Sequence, residues 1–82
     1  MTQLLQTNAF ARDFSKLPPK VQISITAYLI RLRDDPKSLD IKHLKGMDHC
    51  YRLRCGDYRV IFGKIMGGIE LLKVAHRKDI YR

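Results

Sequence analysis

At 82 residues with 45% apolar content, the chain is long enough for one small domain, residues 1–82, around a single modest core. Its formal net charge of +8 excludes a surface made for cationic partners and selects for a polyanion or an acidic protein. No apolar run is long enough for a membrane span, and the N-terminus lacks the pattern of a secretory signal, so the expected location is the cytoplasm, with no membrane partner.

The first residues, Gln3 to Gln6, read as a short strand. Thr7 or Asn8 then offers a side-chain oxygen to cap a helix. Phe10, Phe14 and Leu17 follow at i, i+4 and i+7, one apolar stripe. Pro18-Pro19 stops that helix and opens a second, because proline is tolerated in a first turn. Val21, Ile25, Tyr28, Leu29 and Leu32 form the second stripe, and Asp34-Asp35-Pro36 ends it. The two make a helical hairpin with facing apolar sides.

Residues 37–50 are polar and irregular by pattern, with Gly46 a turn and Ile41, Leu44 and Met47 tacking the segment to the body. His43 and His49 fall here and are expected to be solvated. From Tyr51 the period becomes two. Tyr51, Leu53 and Cys55 point one way, Arg52 and Arg54 the other. Gly56-Asp57 supplies a tight turn, and Tyr58, Val60 and Phe62 then alternate with Arg59 and Ile61. Gly67-Gly68 reads as a second turn, and Ile69 to Ala75 as a further strand. The expected fold is α+β: a helical hairpin on an antiparallel sheet of three to four strands. The helices should cover the face bearing Leu53, Val60, Leu72 and Val74, leaving Arg52 and Arg54 on an open face.

Cys50 and Cys55 would be about 16 Å apart on an extended strand, beyond the reach of about 7 Å that a disulfide needs, so both are expected as free thiols. No spacing of Cys and His matches a zinc site, and no cofactor is called for.

Charge is uneven along the chain. Residues 1–41 hold six Lys/Arg against four acids, and residues 42–82 hold ten against four. Arg52, Arg54 and Arg59 would stand close on one face, where like charges repel unless an anion intervenes. Asp57 and Asp48 are the nearby acids, and neither is placed to neutralise all three. Edge-strand cations that deter aggregation explain one such arginine more readily than three. A cluster of planar guanidinium forks suits phosphate oxygens. The C-terminal Val74-Ala75-His76-Arg77-Lys78-Asp79-Ile80-Tyr81-Arg82 adds a group that titrates near neutrality, further cations and an aromatic ring. Metal-free cleavage of RNA needs a proton acceptor for a ribose 2′-OH, fixed cations for the phosphate and a donor for the leaving 5′-oxygen.

At Leu44-Lys45-Gly46, Tyr51-Arg52-Leu53-Arg54, Gly56-Asp57-Tyr58-Arg59-Val60-Ile61 and Val74 to Arg82, the chain resembles the RelE/ParE toxin superfamily of prokaryotic toxin–antitoxin systems. The resemblance spans nearly the whole chain and implies a RelE-like fold. Its RelE branch consists of ribonucleases that cut mRNA in the ribosomal A site. By that resemblance Arg52 and Arg54 match a pair of active-site cations that are often lysines. Arg59 matches a phosphate-stabilising arginine, and Arg77 an arginine that protonates the leaving group or stabilises charge. Tyr81 matches a tyrosine that orients or stacks on RNA, and His76 falls near a histidine that some branches use. Lys42, Lys45, Lys73, Lys78 and Arg82 are the candidate nucleic-acid contacts around them. Arginine in place of lysine at 52 and 54 leaves the general base open among His76, Tyr81 and catalysis by charge and alignment alone. The implied partners are a RelB-like antitoxin, the ribosome with mRNA, and operator DNA only as the toxin–antitoxin complex. A ParE-like inhibitor of DNA gyrase, which shares the fold without nuclease activity, is the competing reading.

Overall fold

The computed structural model describes residues 2–81, so Arg82 lies outside the described residues. The chain begins with β1 (Gln3–Gln6), followed by the helices α1 (Asn8–Ser15) and α2 (Pro19–Asp34). A one-turn 3-10 helix at Pro36–Ser38 leads to β2 (Ile41–His43), β3 (Cys50–Cys55), β4 (Tyr58–Ile65) and β5 (Gly68–His76). No helix among the described residues is long and apolar enough to cross a membrane.

Thr7 sets the start of α1. Its Oγ1 accepts from the Phe10 backbone N–H at 3.1 Å and donates to the Leu71 carbonyl at 2.9 Å. One side chain thus satisfies an orphan helix donor and pins the helix to the sheet. Pro19 occupies the first turn of α2, where a missing N–H costs nothing. The Gln22 side-chain amide donates to the carbonyls of Phe14 and Leu17 at 3.0 and 3.1 Å, closing the corner between the helices.

The five strands form one mixed sheet in the order β1-β5-β4-β3-β2. The α+β class and the helical hairpin stand as expected, while the sheet is larger than three to four strands and is not purely antiparallel. β1 runs parallel to β5, with Gln3 opposite Gly68 and Gln6 opposite Leu71. Ile41–His43, read from sequence as irregular, pairs with Leu53 to Tyr51 as an edge strand. Three residues with only one apolar member carry too little alternation to register as a strand. Met47 is exposed rather than tacked to the body, whereas Ile41 packs on the core.

The β3–β4 loop is Gly56-Asp57, and Gly56 has φ +62°, the left-handed conformation a two-residue hairpin loop asks of glycine. The second turn is Met66-Gly67, one residue earlier than expected, and Gly68 already belongs to β5. A Cβ at Gly68 would stand 2.8 Å from the Gln3 carbonyl oxygen, so glycine is what lets β1 lie this close.

The core is Phe10, Ile25, Leu29 and Leu32 from the helices against Leu53, Cys55, Val60, Phe62, Ile69, Leu71 and Val74 from the sheet. Leu72 does not belong to it. Ile61 pairs with Lys73 and Phe62 with Leu71, so a β-bulge leaves Leu72 without an opposite residue. The extra residue shifts the inward phase along β5 from odd positions, Ile69 and Leu71, to the even Val74, and Leu72 turns to the opposite face beside Gly63. Both cysteines are free, as expected.

Candidate nucleic-acid interface

Residues directly opposite on neighbouring strands share a face of the sheet. Leu53, Val60 and Val74 pair in register beneath the helices. The next positions along each strand therefore share the uncovered face. On it Lys42, Arg52, Ile61 and Lys73 form one cross-strand row, and Arg54, Arg59 and Ala75 form the next. Five cations from four strands stand on this face. Ile61 is buried there although no helix covers it, and the stems of its neighbours Arg52 and Lys73 are long enough to shield it.

The Asp40 carboxylate reaches the two β3 arginines of this cluster. Asp40 precedes β2, and its carbonyl accepts the Arg54 N–H at 3.0 Å, which extends the β2–β3 ladder by a residue. Asp40 Oδ1 lies 3.5 Å from Arg52 Nη2 and Oδ2 lies 3.9 Å from Arg54 Nη1. Arg52 is the more enclosed of the two, and its Nε is buried with no hydrogen-bond partner. Sequence reasoning weighed Asp48 and Asp57 and missed Asp40, because only the pairing of β2 with β3 brings residue 40 to the cations.

Arg59 is steadied by the backbone. Its Nη1 donates to the carbonyls of Gly56 at 2.7 Å and Tyr58 at 2.9 Å. Two main-chain acceptors hold the fork at the β3–β4 turn and leave its other donors for an anion. Arg77 meets the same turn: its backbone N–H donates to the Asp57 carbonyl at 2.8 Å, and its Nε is 4.0 Å from Asp57 Oδ1. Arg54 and Arg59, which flank the turn, and Arg77, distant from them in sequence, are thus gathered at one end of the sheet.

His76 is placed differently. It pairs with Tyr58, and the two rings meet edge to face with centroids 5.4 Å apart, on the side of the sheet that Val60 and Val74 share. Its Nδ1 accepts the Lys78 N–H at 3.2 Å, which puts the proton of the neutral ring on Nε2. Neither the face nor the occupied Nδ1 favours His76 as the acceptor of a proton from the arginine-bearing face. The chain then turns, with Asp79 and Ile80 N–H groups both donating to the His76 carbonyl. Ile80 is buried and anchors the turn, while Lys78 and Tyr81 are exposed. Lys45 is exposed in the turn between β2 and β3.

Cys55 marks the covered side of this end. Burial pushes its thiol up to about 12, and the nearby Arg59 charge opposes that shift. It behaves as an apolar core residue and not as a nucleophile.

The face offers several guanidinium forks, one bridging carboxylate and an exposed tyrosine nearby in sequence. Such a set binds phosphate and stabilises charge that builds on it.

Residues 4–81 match the sequence profile of the ParE toxin of type II toxin–antitoxin system, parDE. Toxin RelE3 of Methanocaldococcus jannaschii is 29% identical over 83 residues, covering 96% of this chain and 94% of that protein. The crystal structure of the RelB–RelE antitoxin–toxin complex from Methanococcus jannaschii superposes with a TM-score of 0.79 at 29% identity, covering 94% of each chain. The archaeal RelE–RelB complex from Pyrococcus horikoshii OT3 shares the fold with a TM-score of 0.78 at 24% identity, over 95% of this chain and 97% of that one.

Proposed function

The chain belongs to the RelE/ParE superfamily of type II toxins, on its RelE-like branch, and from that premise we propose that it is a ribosome-dependent mRNA endoribonuclease acting in the cytoplasm. The observation that carries the reading is the single face shared by Arg52, Arg54 and Arg59, with Arg77 held at the same hairpin turn. In the proposed reaction a ribose 2′-oxygen attacks the adjacent phosphorus, and the bond from phosphorus to the 5′-oxygen breaks. The products are a 2′,3′-cyclic phosphate and a 5′-hydroxyl. Arg59 and the Arg52/Arg54 pair bind the non-bridging oxygens, whose negative charge grows in the transition state. Arg77 stabilises the charge on the leaving 5′-oxygen, the 2′-OH gives its proton to water and the 5′-oxygen takes one up from water, and Tyr81 stacks on a base. Lys42, Lys45, Lys73, Lys78 and Arg82 attract the RNA backbone. An arginine stays protonated and is a poor base. The ribosome is therefore assigned the task of aligning the message in line, where positioning supplies much of the rate.

The proposed partner that silences the toxin is a RelB-like antitoxin, in keeping with relatives solved as RelB–RelE complexes and with the charge of +8. Operator DNA would be bound by the pair together.

The matching ParE profile favours a second reading, inhibition of DNA gyrase without nuclease activity. Induction in cells, with mapping of mRNA 5′ ends and assay of gyrase-linked DNA breaks, separates the two. Cuts at defined positions within translated codons support the nuclease. Broken DNA with intact mRNA supports the gyrase inhibitor and overturns it.

A further inference from the structure

Resting on the nuclease reading, we infer that Asp40 is the positioning residue of this site, a clamp whose carboxylate sets the spacing and direction of Arg52 and Arg54 for the phosphate. The two arginines stand on the same face of β3, two residues apart, and Arg54 also faces Arg59 directly across the ladder. Left alone, these charges would splay. Asp40 is the carboxylate that the described structure places within ion-pair distance of both Arg52 and Arg54. It uses one oxygen for each, so the two guanidinium groups are bridged as two oxygens of a phosphate would bridge them. The position of that carboxylate is itself fixed, because the Asp40 carbonyl takes the Arg54 N–H and the next residue, Ile41, is paired with Leu53.

Arg52 gives the clamp its leverage. Its Nε is buried without a partner, so the group depends on its Nη contact for compensation. The ion pairs themselves, at 3.5 and 3.9 Å and partly exposed, contribute little to stability. The value of the carboxylate is orientation: a misplacement of about 1 Å in a catalytic group is enough to cost up to roughly a hundredfold in rate.

The test uses Asp40→Asn, Asp40→Glu and the control Asp34→Asn, which removes the same charge from a residue paired with Arg33 instead. With ribosomes programmed by a defined mRNA, D40N should lose about tenfold or more in kcat while KM stays level or falls, since a less negative face attracts RNA at least as well. D40E should recover much of that loss, and D34N should cut as the wild type does. Arginine side-chain Hε signals of the free protein give a readout apart from activity. D40N should shift or broaden those of Arg52 and Arg54 and leave that of Arg59 in place, because Arg59 is held by backbone carbonyls. If D40N keeps kcat within about twofold, or loses it with the Arg52 and Arg54 signals unmoved, the positioning role is overturned. A wild-type protein that fails to cut translated mRNA overturns the nuclease reading instead, and the arginine spectra still report whether the clamp exists.

Discussion

Arg54 and Arg59 stand directly opposite one another across the β3–β4 ladder. Like charges so placed cost a folded sheet roughly 0.2–1 kcal/mol. Removing one of them should therefore not weaken the fold. Arg59→Ala loses this repulsion together with two hydrogen bonds to turn carbonyls that water can replace, so it is expected to abolish growth inhibition with a nearly unchanged melting temperature, and Arg77→Ala to abolish it with an unchanged one. Thermal unfolding by circular dichroism beside the growth assay checks this. Loss of toxicity through a lowered melting temperature would remove the site assignment.

A core substitution should fail in the opposite way. Leu53 is fully buried between the helices and the sheet. Leu53→Ala is expected to cost about 2–5 kcal/mol, a large share of what so small a domain possesses. Urea unfolding should show an earlier midpoint, and the toxicity lost with it should return partly at lower temperature.

Thr7 serves two elements at once, capping α1 and bonding the Leu71 carbonyl of β5. Thr7→Ala should cost about 1–2 kcal/mol. Thr7→Ser, which keeps the hydroxyl, should recover most of that stability in the same denaturation experiment.

The Cys55 thiol gives a pH dependence of definite sign. Its pKa rises from 9.0 in the unfolded chain to about 12 in the fold. Between those values the native state holds a proton that the unfolded state releases. Stability contributed by the protonated thiol is thus fully present below pH 9 and declines above it, by up to about 1.4 kcal/mol per unit. Melting temperatures of the wild type and Cys55→Ala should converge as pH rises from 9 to 11. Parallel curves would show that the thiol ionises in the folded state as readily as in the unfolded one.

The helices and the central hairpin were legible because their signals are local. The stripes through Phe10 and Phe14 and through Val21 to Leu32 repeat with helical spacing, and Arg52 to Arg54 alternate with Leu53 and Cys55. What escaped depends on partners far away in sequence. The parallel pairing of β1 requires Gly68 to yield space, and nothing near Gln3 signals it. The bulge at Leu72 falls in an apolar run whose adjacent Leu71 and Leu72 leave open which of the two faces inward. Asp40 looked like a loop residue until β2 found β3. His76 was drawn toward the arginines by proximity in the chain, whereas strand alternation turns its ring toward Tyr58. The arginine cluster was found because three of its members flank one tight turn.

The seating of β1 against β5 has a consequence for biogenesis. β1 leaves the ribosome before the other four strands and takes its place against β5, which leaves after them, with Thr7 bonded to a carbonyl 64 positions downstream. Until β5 has been made that segment has no neighbour, and α1 lacks its anchor on the sheet. Non-local closure of this kind is slow to form. The emerging polypeptide therefore passes through an interval in which the arginine hairpin exists without the frame that steadies it, and a partner already waiting in the cell has that interval in which to engage.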